Sequence, residues 1–185
     1  EVFATGGIGG VHFDAFDESA DLPALARIPI VVVCAGAKSI LNLHATIERL
    51  ETLGVPVIGY GTDSLPAFHT PSSPYKVAAR LDTPSEIAKA QIAARVLEMR
   101  QAILVTNPID KGIAFEKVQA WVEAANHEAR KQMVTGKNLT PFLLSELARL
   151  SSGETVQVNG RLLGNNARLA GEIAVALGAV RLEAI

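Results

Sequence analysis

Lys38 stands at the end of an apolar run, Pro29-Ile-Val-Val-Val-Cys-Ala-Gly-Ala37, and it is the residue with the clearest chemical potential in the chain. A run of this kind reads as a strand buried on both faces, as in a parallel sheet covered by helices. An ammonium group at the mouth of such a strand loses hydration, and desolvation lowers the pKa of a lysine. A lysine that is neutral near pH 7 is a nucleophile able to form a Schiff base with a carbonyl. The plainer alternative is a strand-ending lysine whose stem lies on apolar surface while its head reaches water. Ser39, next in sequence, reads as the cap of a helix over Ser39 to Leu53, whose positive end would draw a phosphate or oxyanion towards Lys38.

Other candidates lie on either side. Asp17, Ser19 and Asp21 form an Asp-x-Ser-x-Asp segment whose alternating oxygens suit a hard cation, or a cation beside a phosphate-binding hydroxyl. Short Asp/Ser clusters are also ordinary caps and turns. The glycine turn Gly6-Gly-Ile-Gly-Gly10 follows a strand and suits either a tight turn or a loop whose amides crowd an anion. It lacks the third glycine of a dinucleotide fingerprint, since position 12 is His12. Asn107-Pro108 closes another apolar run, and Asn165-Asn166 precedes what reads as the last helix, Asn165 to Ala176, with Asn165 as its N-cap.

The elements that must position these residues alternate between strand and helix. Val2 to Thr5, Ile30 to Ala35, Val55 to Tyr60 and Ala102 to Thr106 read as strands, with Val77 to Leu81 as a short edge segment. Helices are expected over Asp21 to Arg27 with Asp21 as cap, Ser39 to Leu53, Thr83 to Met99, Phe115 to Met133, Thr140 to Leu150 and Asn165 to Ala176. Thr83 and Glu86 have the spacing of a capping box. The alternation predicts an α/β protein, a three-layer α/β/α arrangement with a mostly parallel sheet, and a single domain over residues 1–185.

Composition narrows the partners. With 49% hydrophobic and 19% charged residues over 185 positions, the chain is globular and can bury a sizeable core. A net charge of -2 and no basic run argue against nucleic acid, and the longest apolar stretch is too short to span a bilayer. The lone Cys34 lies inside an apolar run, so there is no disulfide framework and a reducing, cytoplasmic setting is expected. Glu1 stands in place of an initiator Met and leads directly into a strand, so the chain is expected to be the C-terminal part of a longer protein.

Taken together, the motifs resemble the pseudouridine-5′-phosphate glycosidase family, which includes indigoidine synthase A-like proteins. The resemblance rests on Val2-Phe-Ala-Thr-Gly-Gly-Ile-Gly-Gly-Val-His12, Phe16-Asp-x-Ser-Ala-Asp-Leu22 and Val33-Cys-Ala-Gly-Ala-Lys-Ser-Ile-Leu41. It continues through Gly59-Tyr-x-Thr-Asp63, Pro66-Ala-Phe68, Ile103-Leu-Val-x-Asn-Pro108, Thr140-Pro-Phe-Leu-Leu144 and Asn165-Asn-Ala167. It implies reversible cleavage of the C–C bond joining uracil to ribose 5-phosphate, with Lys38 as the nucleophile holding the sugar as an imine. It also implies Asp17 as ligand of a manganese ion held mostly through waters, and Ser19, Ala20, Asp21 and Asn165 as substrate-binding residues. A homotrimer is the implied assembly.

Two departures accompany the resemblance. The stretch His12-Phe13-Asp14-Ala15-Phe16 is a few residues shorter than in relatives and lacks an Arg-Gly and a Thr. The family's general-acid glutamate and a phosphate-binding lysine belong to an N-terminal part that this chain does not contain. Two other readings therefore stay open: a sugar-phosphate Schiff-base lyase of different specificity, and a non-catalytic binding domain.

Overall fold

A computed structural model of the chain describes residues 1–13 and 17–183, with side chains through 180. The shortened segment singled out in the sequence, Asp14 to Phe16, lies outside the described residues. Five strands form one sheet in the order β1-β2-β5-β3-β4, and every pairing is parallel. They are β1 (Val2–Ala4), β2 (Val31–Cys34), β3 (Val57–Tyr60), β4 (Ala79–Leu81) and β5 (Ile103–Thr106). The two continuous apolar runs, β2 and β5, are buried at every residue and lie side by side in the interior of the sheet, Val31 opposite Ile103 and Cys34 opposite Thr106.

Parallel strands bury both faces, and helices cover both here. The helices are α1 (Asp21–Leu25), α2 (Leu43–Thr52), α3 (Pro84–Val96), α4 (Phe115–Lys131), α5 (Leu139–Leu150) and α6 (Glu154–Glu183), with one 3-10 turn at Gly136–Asn138. Alternate strand residues divide between two cores. Val32, Cys34 and Leu104 face α1, α2, α4 and α5, whereas Val31, Val33, Ile103 and Val105 face α3 and the later part of α6. The three-layer α/β/α arrangement is therefore the fold. Among the described residues no helix is long and apolar enough to cross a membrane.

Three local expectations are corrected. The helix after Lys38 begins at Leu43, four residues later than Ser39, because Asn42 is its cap and accepts from Ala45 N–H at 3.1 Å. Ser39 is committed elsewhere, and residues 39–41 form turns and a bend. Asp21 does not cap α1; Ala20 occupies the cap position without a side-chain bond, and Asp21 is the first helical residue. Asn165 does not start the last helix, since α6 begins eleven residues earlier at Glu154. The buried positions Val158, Leu162, Leu169, Ile173 and Leu177 keep helical spacing straight through Gly160 and Gly164. An interior glycine costs a helix only about 1 kcal/mol, which tertiary packing overrides. The capping box is present as expected, Thr83 and Glu86 satisfying each other's backbone amides.

Candidate active site

The site is assembled where β1, β2 and β5 end. Ligands of open α/β sheets bind at the carboxyl ends of the strands, and here those ends are extended into loops that remain paired. Thr5 N–H donates to Val33 O at 3.0 Å, Ala35 N–H to Gly6 O at 2.9 Å, Ile8 N–H to Gly36 O at 3.1 Å and Lys38 N–H to Ile8 O at 3.0 Å. The backbone of Lys38 is thus held by the glycine loop rather than by a helix.

A cleft of about 640 Å³ opens beside these loops. Its polar end is lined by Thr5, Gly7, Asp21, Lys38, His69 and Thr155. Lys38 is half-buried there. Asp21 turns its carboxylate to the glycine loop and accepts Gly9 N–H at 2.6 Å, while its own N–H donates to Ser19 Oγ at 3.2 Å. Ser19 lies so close over Gly9 that an added Cβ would stand 2.1 Å from its hydroxyl oxygen, which is why this position is glycine. Ser19 and Asp21 therefore act as one unit with the loop. Ala20 is exposed at the start of α1.

Asp17 is half-buried, and its carbonyl accepts His12 N–H at 2.9 Å. Among the described residues no group of three or more His, Cys, Asp or Glu could hold a metal ion. Asp17 can offer a divalent ion one carboxylate, with water in the remaining positions, and a hard ion accepts that donor set. Asn165 is half-buried in mid-helix and does not line the cleft. Its neighbour Asn166, 1% exposed, makes the structural ties: its Nδ2 donates to Thr5 O at 2.8 Å and its Oδ1 accepts from Asn107 Nδ2 at 3.1 Å. One side chain joins the ends of β1 and β5 to α6.

A second group centres on His69, which carries no local signal in the sequence. The loop Pro66 to His69 folds over the segment that leads into Lys38. Phe68 N–H donates to Ala35 O at 2.8 Å, and Ser39 Oγ–H donates to Ala67 O at 3.0 Å. The Ser39 oxygen is 3.1 Å from His69 Nδ1; with its one proton given to Ala67, it accepts from Nδ1–H. Burial pushes the His69 imidazole from 6.5 down to about 4, partly offset by a backbone contact with Thr155, so the ring is neutral at pH 7. Two residues with positive φ mark this contact. Phe68 adopts φ 59°, a strained conformation for a bulky residue, and Gly36 has φ 90°, with Pro66 O standing where a Cβ would lie, so only glycine fits. Cys34 takes no part: burial pushes its thiol up to about 12, leaving it a protonated core residue.

The family model for Indigoidine synthase A like protein matches residues 1–176. This chain belongs to the indigoidine synthase A-like family. Among relatives in this family, the pseudouridine-5′-phosphate glycosidase of Thermus thermophilus is 58% identical over 176 residues, covering 95% of this chain and 62% of its own length. That of Escherichia coli is 50% identical over 179 residues, covering 94% of this chain and 57% of its own. The prealnumycin C-glycosynthase AlnA, solved in complex with ribulose 5-phosphate, superposes with a TM-score of 0.91 at 38% identity, over 98% of this chain and 61% of that one. An indigoidine synthase A-like protein from Thermotoga maritima gives 0.86 at 37% identity, over 94% of this chain and 58% of that one. The chain thus spans roughly three-fifths of the length of its family relatives.

Proposed function

We propose that this chain carries the nucleophile-bearing, C-terminal part of a pseudouridine-5′-phosphate glycosidase, an enzyme that reversibly splits the C–C bond between uracil and ribose 5-phosphate. The observation that supports it most is the place of Lys38, half-buried at the carboxyl end of β2 in the polar end of the cleft. The similarity to glycosidases of that name adds to it.

A C–C glycosidic bond has a poor leaving group, and covalent catalysis supplies a nitrogen lone pair that expels it, a push that simple hydrolysis lacks. The Lys38 amine attacks C1′ of the sugar and the C1′–O4′ bond opens, O4′ taking a proton. The nitrogen lone pair then forms C=N while the C1′–C5 bond breaks, and the departing electrons leave uracil protonated at C5. Water hydrolyses the imine to ribose 5-phosphate and frees Lys38. The loop amides tied by Ser19 and Asp21 hold the geometry, and His69 stays neutral in the same cleft. The proton donor belongs, on this reading, to the part of the family's length outside residues 1–185.

Asp17 would hold a manganese ion, which when bound supplies positive charge to orient sugar oxygens. Asn165 is not among the residues lining the cleft, and its substrate role rests on the family resemblance alone. A cytoplasmic homotrimer belongs to the same proposal and rests on the family resemblance. A second reading, a Schiff-base enzyme with a different base, is favoured by the likeness to a C-glycosynthase; release of uracil from pseudouridine 5′-phosphate separates the two.

With ribose 5-phosphate and borohydride, the chain should gain one reduced pentose-phosphate adduct, mapped by peptide mass to Lys38. Lys38→Ala should trap nothing, whereas Lys137→Ala, altered at an exposed residue, should trap normally. An adduct on any other lysine removes the assignment. For the metal, Asp17→Ala should abolish the manganese dependence of turnover and weaken manganese binding at least tenfold by paramagnetic resonance. Unchanged binding in that variant would sink Asp17 as the ligand.

A further inference from the structure

The cleft continues beyond its polar residues into an apolar part. It runs from the site down the face of β1 and β2 and is lined by Phe3, Ala24, Leu25, Ile28, Val32 and Leu163. Phe3 is 55% exposed, Ile28 48% and Leu163 46%, with Val156 on the rim at 60%. Scattered exposed apolar side chains are ordinary, but a contiguous groove of this kind marks a contact surface. Its position in the sheet says what shape is missing. An all-parallel sheet has helices on both faces, and on the opposite face Val2 and Ala4 of the same strand pack into the core that includes Leu169 and Ile173 of α6. On the groove side, Phe3 has no such cover. β1 is also an edge strand, paired on one side only among the described residues.

We infer that this groove seats an apolar helix from the part of the family's length that lies outside residues 1–185. A helix satisfies its own backbone hydrogen bonds and so fits an apolar groove, whereas an irregular segment would bring unpaired polar groups into it. The material for it is at hand, because the chain spans only 62% of the Thermus thermophilus relative. Seated there, the helix would close the apolar end and leave the polar end as the ligand space, drying the surroundings of Lys38. The inference is independent of the reaction assigned to Lys38, since its test reads coverage and not turnover.

Cys34 is the chain's one cysteine and is buried, so engineered thiols can be read singly. Phe3→Cys, Ile28→Cys and Leu163→Cys would be labelled with a maleimide in two settings. One is the 185-residue chain, and the other is a single polypeptide joining it to the remaining part of the Thermus thermophilus relative. Val96→Cys, at a residue 77% exposed and away from the groove, is the control. Labelling of the three groove thiols should be fast in the shorter chain and at least tenfold slower in the longer polypeptide, with the control unchanged. Equal rates in the two settings overturn the inference. So does concentration-dependent protection in the shorter chain, which would make a second copy the occupant. Labelling of Cys34 reports unfolding. If the longer polypeptide shows it, cysteines at the aligned positions of the Thermus thermophilus relative itself replace it, where slow labelling supports the helix and labelling as fast as the control overturns it.

Discussion

The two ends of the cleft are built on opposite principles. At the polar end nearly every backbone group is assigned: Gly9 to Asp21, Lys38 to Ile8, Phe68 to Ala35, and Thr5 to both Val33 and Asn166. The strained conformation of Phe68 is tolerated there because its surroundings fix it. At the apolar end Phe3, Ile28 and Leu163 stand half in water. The contrast teaches that geometry for chemistry is set within this chain, while shielding is left to something that packs against it.

That comparison can be broken most forcefully at Gly36. Gly36→Ala places a methyl against Pro66 O at a positive φ, so the clasp over Lys38 must open or the fold must give way. We expect a loss of about 3–5 kcal/mol, a drop in melting temperature of roughly 10 °C or more, and no borohydride-trapped adduct. Phe3→Ser at the other end should shift stability by no more than about 0.5 kcal/mol. Equal effects in the two variants would erase the distinction.

A smaller effect follows from His69. Its folded value of about 4 lies below its ordinary 6.5, so between these values the unfolded chain binds a proton that the folded chain refuses. Stability therefore falls as pH drops from 6.5 towards 4, by an amount on the order of 3 kcal/mol, and is unaffected by this group above that window. His69→Phe should remove that part of the slope. The variant's melting temperature relative to the parent should accordingly rise as pH is lowered, followed by calorimetry from pH 7 to 4. A constant difference across that range would place the imidazole in contact with water.

What can be seen in the sequence is what short range determines. The buried runs of β2 and β5 declare themselves by unbroken apolar composition, and Thr83 with Glu86 by capping spacing. Lys38 and Asp21 are visible because one ends a strand and the other sits in an oxygen-rich loop. The start of α2 is hidden because Ser39 has the right chemistry for a cap but spends it on Ala67 and His69, reached only through tertiary folding. The start of α6 is hidden because its glycines look like breaks. His69 and Asn166 carry no local sign of their roles: His69 meets Ser39 across 30 residues that include α2 and β3, and Asn166 meets Thr5 across most of the chain.

Asn166 also sets a clock. Its partner Thr5 lies 161 residues away in sequence, so a ribosome adding ~5–20 residues per second takes roughly 10 to 30 s between making one and making the other. For most of that interval Lys38 and its glycine loop have already been made, while the Thr5 carbonyl still lacks its Asn166 partner. A nascent chain halted before α6 would carry every residue of the Lys38 segment and still lack the tie that holds β1, β5 and the last helix together.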